Sequence, residues 1–466
     1  RVPLAGIPCH SLDPHLSKLI KRGFKVAICE QVSKNSELSG EIIDRKVVRV
    51  VTPGTVIEDS IIDQKSNNYL ASITLEKDTC GIAYTDITTG EFLTTQINKA
   101  HMESEINRIS PSEILVTSTD KTNLKYLDSE LSTIEEYDFD RKKCSESLLN
   151  HFQVSSMESF GCNDLPLSLR ASGAIIHYLS RQAPELLSQI KTLRTYNIHN
   201  YMSLDKQTMR NLELFEGGRW QSTDTSLLSV LDHSKTSMGS RLLRRWIGQP
   251  LLNVKSLTNR QNSVEWFHTN SLRRENITLL LKSVSDIERV ANKLLSLNAT
   301  PRDLSSLAQS LGIIPKLREI FLDSDDKKLI LELYENLKTH DFTIQQINRA
   351  IVEDPQITVG DGGVIKSGFS TELDNLRQSS DKSQNYIVSL QESERCKTGI
   401  KTLKVGYNRV FGYYIEVTKA QSRLVPENYI RRQTLTNAER YITTEIKEYE
   451  SKILSAKDRI KELELS

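Results

Sequence analysis

Residues 403–419 read LKVGYNRVFGYYIEVTK. Segments 403–410 and 413–419 are rich in β-branched and aromatic residues, and Phe411-Gly412 lies between them, which predicts a β-hairpin. Just beyond it, Ile442, Ile446, Tyr449, Ile453, Ala456, Ile460 and Leu463 recur at alternating spacings of four and three among Glu, Lys and Arg. That seam predicts a long amphipathic helix, either one strand of a coiled coil or a helix laid on a core.

Working outward toward the N-terminus, apolar residues recur at helical spacing through 212–215, 227–231, 242–246 and 329–337, so 200–370 is expected to be a helical body. Gly217-Gly218 and Gly362-Gly363 mark turns within it. A β module inserted in a helical arm suits a lever that carries a gripping tip. Before the helices, 68–190 mixes strands and helices. Segments 80–87 and 91–97 flank Thr88-Thr89-Gly90 as a hairpin, followed by a helix at 101–109 and a strand at 113–116, which predicts a small α/β domain. Residues 11–24 predict a helix carrying Leu16, Leu19 and Ile20, ended by Gly23. Strands at 25–29 and 47–51 follow, and Thr52-Pro53-Gly54-Thr55 marks a domain boundary.

A length of 466 residues implies several domains. The net charge is +1, yet 1–55 hold nine Lys/Arg against five Asp/Glu and 401–440 hold eight against three, leaving −8 for the remainder. Two basic segments on an acidic body point to places that meet a polyanion. Cys9, Cys29, Cys80, Cys144, Cys162 and Cys396 form no C-x-x-C pair and stand at no zinc spacing from His, as expected of free thiols in a reducing cytosol. No apolar run approaches the roughly 20 residues that span a membrane. The chain begins at Arg1 without Met and ends in a helical pattern, so a fragment is expected.

Catalytic motifs are missing from the sequence. It has no G-x-x-x-x-G-K-[ST], no G-x-S-x-G and no H-E-x-x-H, and its nine histidines are dispersed. A metal-dependent nuclease would need clustered carboxylates, and Asp78 with Asp86 is too small a set. Segment 429–440 is more informative. Arg431, Arg432, Gln433, Thr434 and Asn437 combine forked cationic donors with short neutral ones, and Lys404, Asn408 and Arg409 on the hairpin add to them. Both donor types suit phosphate oxygens and give sequence-independent, salt-sensitive binding. The alternative is a solvated loop leading into a helix.

Pro3-Leu4-Ala5-Gly6-Ile7-Pro8, Val26-Ala27-Ile28-Cys29-Glu30-Gln31 and Val48-Arg49-Val50-Val51-Thr52-Pro53-Gly54-Thr55 resemble, in order, parts of the MutS family of DNA mismatch-repair proteins. So do Met238-Gly239-Ser240-Arg241-Leu242-Leu243-Arg244-Arg245-Trp246, Pro301-Arg302-Asp303-Leu304 and Asp361-Gly362-Gly363-Val364-Ile365. Leu403-Lys404-Val405-Gly406-Tyr407-Asn408, Gly412-Tyr413-Tyr414-Ile415 and Arg431-Arg432-Gln433-Thr434-Leu435 complete the series. The resemblance implies a multidomain α+β chain. Residues 1–55 would be the end of a mismatch-binding domain, and 68–190 a connector of ribonuclease-H-like fold without nuclease activity. Residues 195–370 would be lever and core helices, 371–443 a small β-rich clamp, and 444–466 the returning lever helix.

The resemblance further implies a non-catalytic chain that helps to bind and encircle double-stranded DNA at mispaired or looped bases. Arg431, Arg432 and Asn437 match clamp positions expected to touch the backbone, with Thr434, Lys404 and Asn408 beside them. Arg49 is a candidate contact of the mismatch domain, or it pairs with an acid. No Phe is followed two residues later by Glu, so the family's wedge motif is expected upstream. ATP and Mg, with the clamp switching they drive, belong to a further ATPase domain, and no cofactor or metal is expected in this chain. A homodimer, a MutL-type repair partner and a cytoplasmic, nucleoid-associated bacterial setting complete the implied picture, with no membrane. The rival readings are a recombination paralogue, against which 1–55 argues, and a helical scaffold.

Overall fold

The computed structural model describes residues 6–8, 11–31, 45–127, 129–218, 222–322, 328–356, 359, 363–408 and 412–466. Pro3-Leu4-Ala5, Cys9, Asp361-Gly362, Arg409 and Phe411 lie outside them. The chain divides into two units, one of residues 1–299 and 313–339, the other of 300–312 and 340–466.

In the first unit, strands β1 (Val26–Gln31) and β2 (Arg45–Val51) pair antiparallel. Their apolar side chains meet the helix Leu12–Ile20 through Leu16, Ile20, Val51 and Val56. Gly23, at φ +78°, turns the chain from that helix into β1, a conformation that favours glycine. A six-stranded sheet follows, built from β3 (Tyr69–Glu76), β4 (Thr79–Asp86), β5 (Glu91–Asn98), β6 (Glu113–Val116), β7 (Glu130–Thr133) and β8 (Arg194–Thr195). Its order is β7-β6-β3-β4-β5-β8, with an antiparallel β3-β4-β5 meander flanked by parallel pairs.

Strand alternation sends Leu70 and Ala83 into one core and Ala71, Ile73, Ile82 and Tyr84 into the other. Both faces are therefore covered, one by the helices Pro166–Gln182 and Arg141–Phe152, the other by Met102–Ile109. The helix Pro166–Gln182 lies so close that a Cβ at Gly81 would stand 2.2 Å from the Leu167 backbone.

The helical body in this unit includes Ser237–Gly248, Val254–Thr269, Ser271–Leu281 and Lys328–Asn336, with Trp266, Ile277, Phe321 and Ile330 in one cluster. Residues 212–215 are not helical, contrary to their spacing. Glu213 sits at φ +50°, through which a right-handed helix cannot continue, and its carboxylate accepts the Gly218 N–H at 2.8 Å.

In the second unit a 28-residue helix, Thr371–Thr398, runs antiparallel to Thr444–Leu465. The predicted seam meets this partner within the same chain, burying Ile446, Ile453, Ala456 and Ile460. Tyr386 and Tyr449 stack at 4.1 Å. The sequence pattern hides the first helix because it buries Ser380 and Ser383 along with few apolar residues. The Ser383 hydroxyl donates to the Ser379 carbonyl at 2.9 Å, which lets a small polar group sit at a helix contact.

Between the helices lie β9 (Lys404–Asn408), β10 (Gly412–Thr418), β11 (Ile430–Thr434) and β12 (Ala438–Ile442), antiparallel in the order β11-β12-β10-β9. Within the expected 371–443 segment, strands thus occupy only 404–442. Ile415, Val417 and Tyr441 pack with Leu390 and Ile446, so one face of the sheet rests on the helix pair. The hairpin is pinned at Gly412, φ +81°, where a side chain would collide with the Glu450 carboxylate that accepts the Tyr413 N–H at 2.9 Å.

Candidate nucleic-acid interface

Residues directly opposite across antiparallel strands share a face. Lys404, Glu416, Arg440 and Gln433 therefore form one row across the four-stranded sheet, and Val405, Ile415, Tyr441 and Arg431 form a row on the other face. The second row starts in the core and ends on Arg431 at the exposed edge strand. The register shifts between Arg431 and Gln433, so Arg432 is the extra residue of a β-bulge, which re-aims a side chain at a sheet edge. Arg432 is exposed and has no hydrogen-bond or ion-pair partner among the described residues.

Arg431 is also exposed, with only a 3.4 Å contact to Glu439. The Tyr441 hydroxyl, bonded to that carboxylate, holds Glu439 below its usual range, helped by the charges of Arg431 and Lys419. Burial, with Glu439 alongside, pushes the Tyr441 phenol up to about 12. Thr434 and Asn437 are exposed at the end of β11 and in the turn to β12. The Asn437 carbonyl accepts the Lys419 N–H at 3.1 Å, which brings a further exposed cation beside the turn. Sequence reading missed Lys419. Its signal was its place at the end of the predicted strand segment 413–419.

The structure does not gather all the candidates. Lys404 stands on the opposite edge strand, three strands and roughly 14 Å from β11 at ordinary spacing. Asn408 lies at the hairpin end of β9, away from the β11–β12 turn. Arg440, in the same basic stretch, is held by Glu416 at 2.9 Å and Gln433 at 3.0 Å and lies 4.2 Å over the Tyr414 ring. The coherent group is Arg431, Arg432, Thr434, Asn437 and Lys419.

Of the two readings of Arg49, the structure gives the ion pair. Its guanidinium donates to Glu58 at 2.9 Å and to the Thr55 carbonyl at 2.9 Å, with Glu185 at 3.8 Å, which corrects its candidacy as a DNA contact. The nuclease pair separates too. Asp86 is buried and accepts from Asn67, at 2.7 Å, and from the Thr88 N–H and hydroxyl. Asp78 lies beyond the other end of β4. Among the described residues no three His, Cys, Asp or Glu are placed to hold a metal. Among the described residues five cysteines are free, and burial pushes the Cys80 and Cys144 thiols up to about 12. Among the described residues no helix is long and apolar enough to cross a membrane.

Family models described as MutS domain I, MutS domain II and MutS domain III match residues 1–60, 68–191 and 207–465. Relatives named DNA mismatch repair protein MutS come from Dehalococcoides mccartyi, Methanococcoides burtonii and Halothermothrix orenii, at 44%, 41% and 40% identity. Each alignment covers 100% of this chain and 54%, 54% and 52% of the respective relative. The chain thus spans about half the length of the curated relatives it matches.

Proposed function

The chain belongs to the MutS family, and on that premise we propose that it is the DNA-holding part of a mismatch-repair recognition protein. Arg431, Arg432, Thr434, Asn437 and Lys419 press on the phosphate backbone of a duplex. The observation that carries this reading is Arg432, exposed at a bulge of an edge strand with no carboxylate among the described residues to neutralise it. A cation left in water at a sheet edge keeps its full attraction for phosphate, whereas one locked to Glu does not. Donors of this kind position a protein on DNA without reading its sequence. Lys404 and Asn408 take a secondary part, reaching phosphate from the other edge strand.

In the whole protein, a homodimer encircles the duplex, an upstream wedge tests how easily it kinks at a mispaired step, and ATP with Mg in a further domain switches the clamp. This chain supplies no catalytic group and no cofactor site to that cycle. The six-stranded sheet is read as a ribonuclease-H-like connector, supported by its antiparallel meander with parallel strands added at the side. It lacks nuclease function, since Asp78 and Asp86 stand at opposite ends of a strand. Segments 1–55, 68–190, 195–370, 371–443 and 444–466 serve as mismatch-domain end, connector, lever, clamp with its supporting helix, and returning lever. A MutL-type partner and a cytoplasmic, nucleoid-associated setting belong to the same reading. The domain I match over 1–60 favours it over a recombination paralogue.

The test is a gel-shift titration of this chain against salt. Arg431→Ala with Arg432→Ala should weaken binding to matched and mismatched duplexes alike. The slope of log K against log salt should fall by about 1.8, two phosphate contacts at roughly 0.9 each. A loss confined to mismatched duplex, or an unchanged slope, overturns the assignment.

A further inference from the structure

The helix Ser237–Gly248 places Arg241, Arg244 and Arg245 at spacings of three and four, so all three emerge on one side. That side lines a cleft of about 900 Å³ shared with the six-stranded sheet and the segment 201–216, all within the first unit. The three arginines are not equivalent. Arg241 is bidentate to Asp286, at 2.6 and 2.8 Å, and reaches Glu288 at 2.7 Å. Arg245 meets Glu91 at 2.9 Å, and Glu91 in turn accepts the Tyr69 hydroxyl.

Arg244 has neither a hydrogen bond nor an ion pair among the described residues. It lies half-buried with its guanidinium 4.6 Å over the Phe215 ring. Burial lowers its affinity for its proton and outweighs the opposing charges of Asp63 and Glu216. Arg210, exposed on the same cleft, also lacks a side-chain partner among the described residues. Asn107 and Gln249 add neutral donors, and Tyr69, Tyr201 and Phe215 line the cleft with aromatic rings.

We propose that this cleft binds a phosphate-bearing small molecule, with Arg244 and Arg210 as its charged contacts. A half-buried guanidinium without a carboxylate is under-compensated, and a planar fork matches two phosphate oxygens. The volume falls in the roughly 300–1,000 Å³ range of small-molecule sites, and two carboxylates on the walls, Glu91 and Glu216, leave the lining net cationic. The sheet in the second unit is not involved, so this site stands or falls independently of the DNA reading.

Isothermal titration calorimetry with inorganic pyrophosphate tests it on the full 466-residue chain. The unmodified chain should bind, Arg244→Gln should weaken binding at least tenfold and Arg210→Gln severalfold, while Lys125→Gln, an exposed cation outside the cleft, should leave it unchanged. Should Arg244→Gln fail to fold, Arg210→Gln decides alone, because its side chain is exposed. Absence of pyrophosphate binding at millimolar concentration, or binding unchanged in both Arg244→Gln and Arg210→Gln, overturns the proposal. So does displacement of pyrophosphate by a short duplex through Arg244, which would assign the cleft to the DNA backbone.

Discussion

The helical body of the first unit and the four-stranded sheet of the second both carry arginines, and they treat them in opposite ways. Arg241 and Arg289 are almost fully buried. Arg241 is met by two carboxylates, and Arg289 by Gln64 at 3.0 Å and the carbonyls of Asp63 and Ser66. They grip the segment that leads from the first module into the six-stranded sheet. Arg431 and Arg432 are exposed at a sheet edge, and among the described residues they have a single long contact with an acid, Glu439 at 3.4 Å. A charge removed from water must be compensated where it lies, so the buried arginines are tied to the fold, while the exposed ones remain available to an outside anion. The number of arginines in a segment therefore says little about binding. Their burial and their partners say most.

The comparison breaks first if a buried arginine proves dispensable. Arg241→Ala removes the bidentate partner of Asp286 and the cation of Glu288, leaving Asp286 with Arg289 at 3.9 Å, and should destabilise the chain by about 3 kcal/mol, read from the urea midpoint. DNA affinity per folded molecule should not move. A smaller effect is expected at Glu113, which is fully buried and accepts from the Thr52, Ser132 and Tyr178 hydroxyls and from the Gly54 N–H at 3.1 Å. Glu113→Gln turns one acceptor into a donor facing hydroxyls and should cost about 1–3 kcal/mol in the same measurement. An unchanged midpoint would mean that the Thr-Pro-Gly-Thr linker is held by something else.

The pH dependence sharpens the contrast. His151 lies against the Ile190 carbonyl at 2.8 Å, and burial lowers its affinity for a proton. The unfolded chain then binds the extra proton more readily, so this residue contributes stability above its unfolded pKa and loses it as pH falls from there toward the lowered folded value. Urea midpoints measured from neutral to mildly acid pH should fall less in His151→Gln than in the parent, and equal slopes would refute the assignment. The smallest stability change belongs to Arg432→Ala, within about 0.5 kcal/mol for an exposed side chain with no partner. Its DNA affinity should nonetheless drop on any duplex, and a stability loss as large as that of Arg241→Ala would erase the distinction.

Much of this was legible in local pattern. The hairpin, the strand Glu113–Val116 and the seam 446–460 follow from periods of two and of three and four, and they appear where those periods lie. The helix Thr371–Thr398 escaped because serines occupy part of its buried stripe, and 212–215 misled because one residue in a left-handed conformation breaks an otherwise helical spacing. For the candidate site, donor chemistry singled out Arg431, Arg432, Thr434 and Asn437 as candidates, which the structure places near one sheet edge, but it could not foresee the bulge at Arg432 or the backbone bond that brings Lys419 beside Asn437.

The sequence by itself determined the order of modules, the faces of most strands and helices, and the family. Those properties depend on neighbours within a turn or a pleat, and spacing records them directly. Only the tertiary structure decided which cations are neutralised. Arg49 and Glu58 are nine residues apart, Arg241 and Asp286 forty-five, and Thr52 and Glu113 sixty-one. Whether such groups meet depends on how the chain returns through space, and burial then decides whether a charge is held inside the fold or left in water.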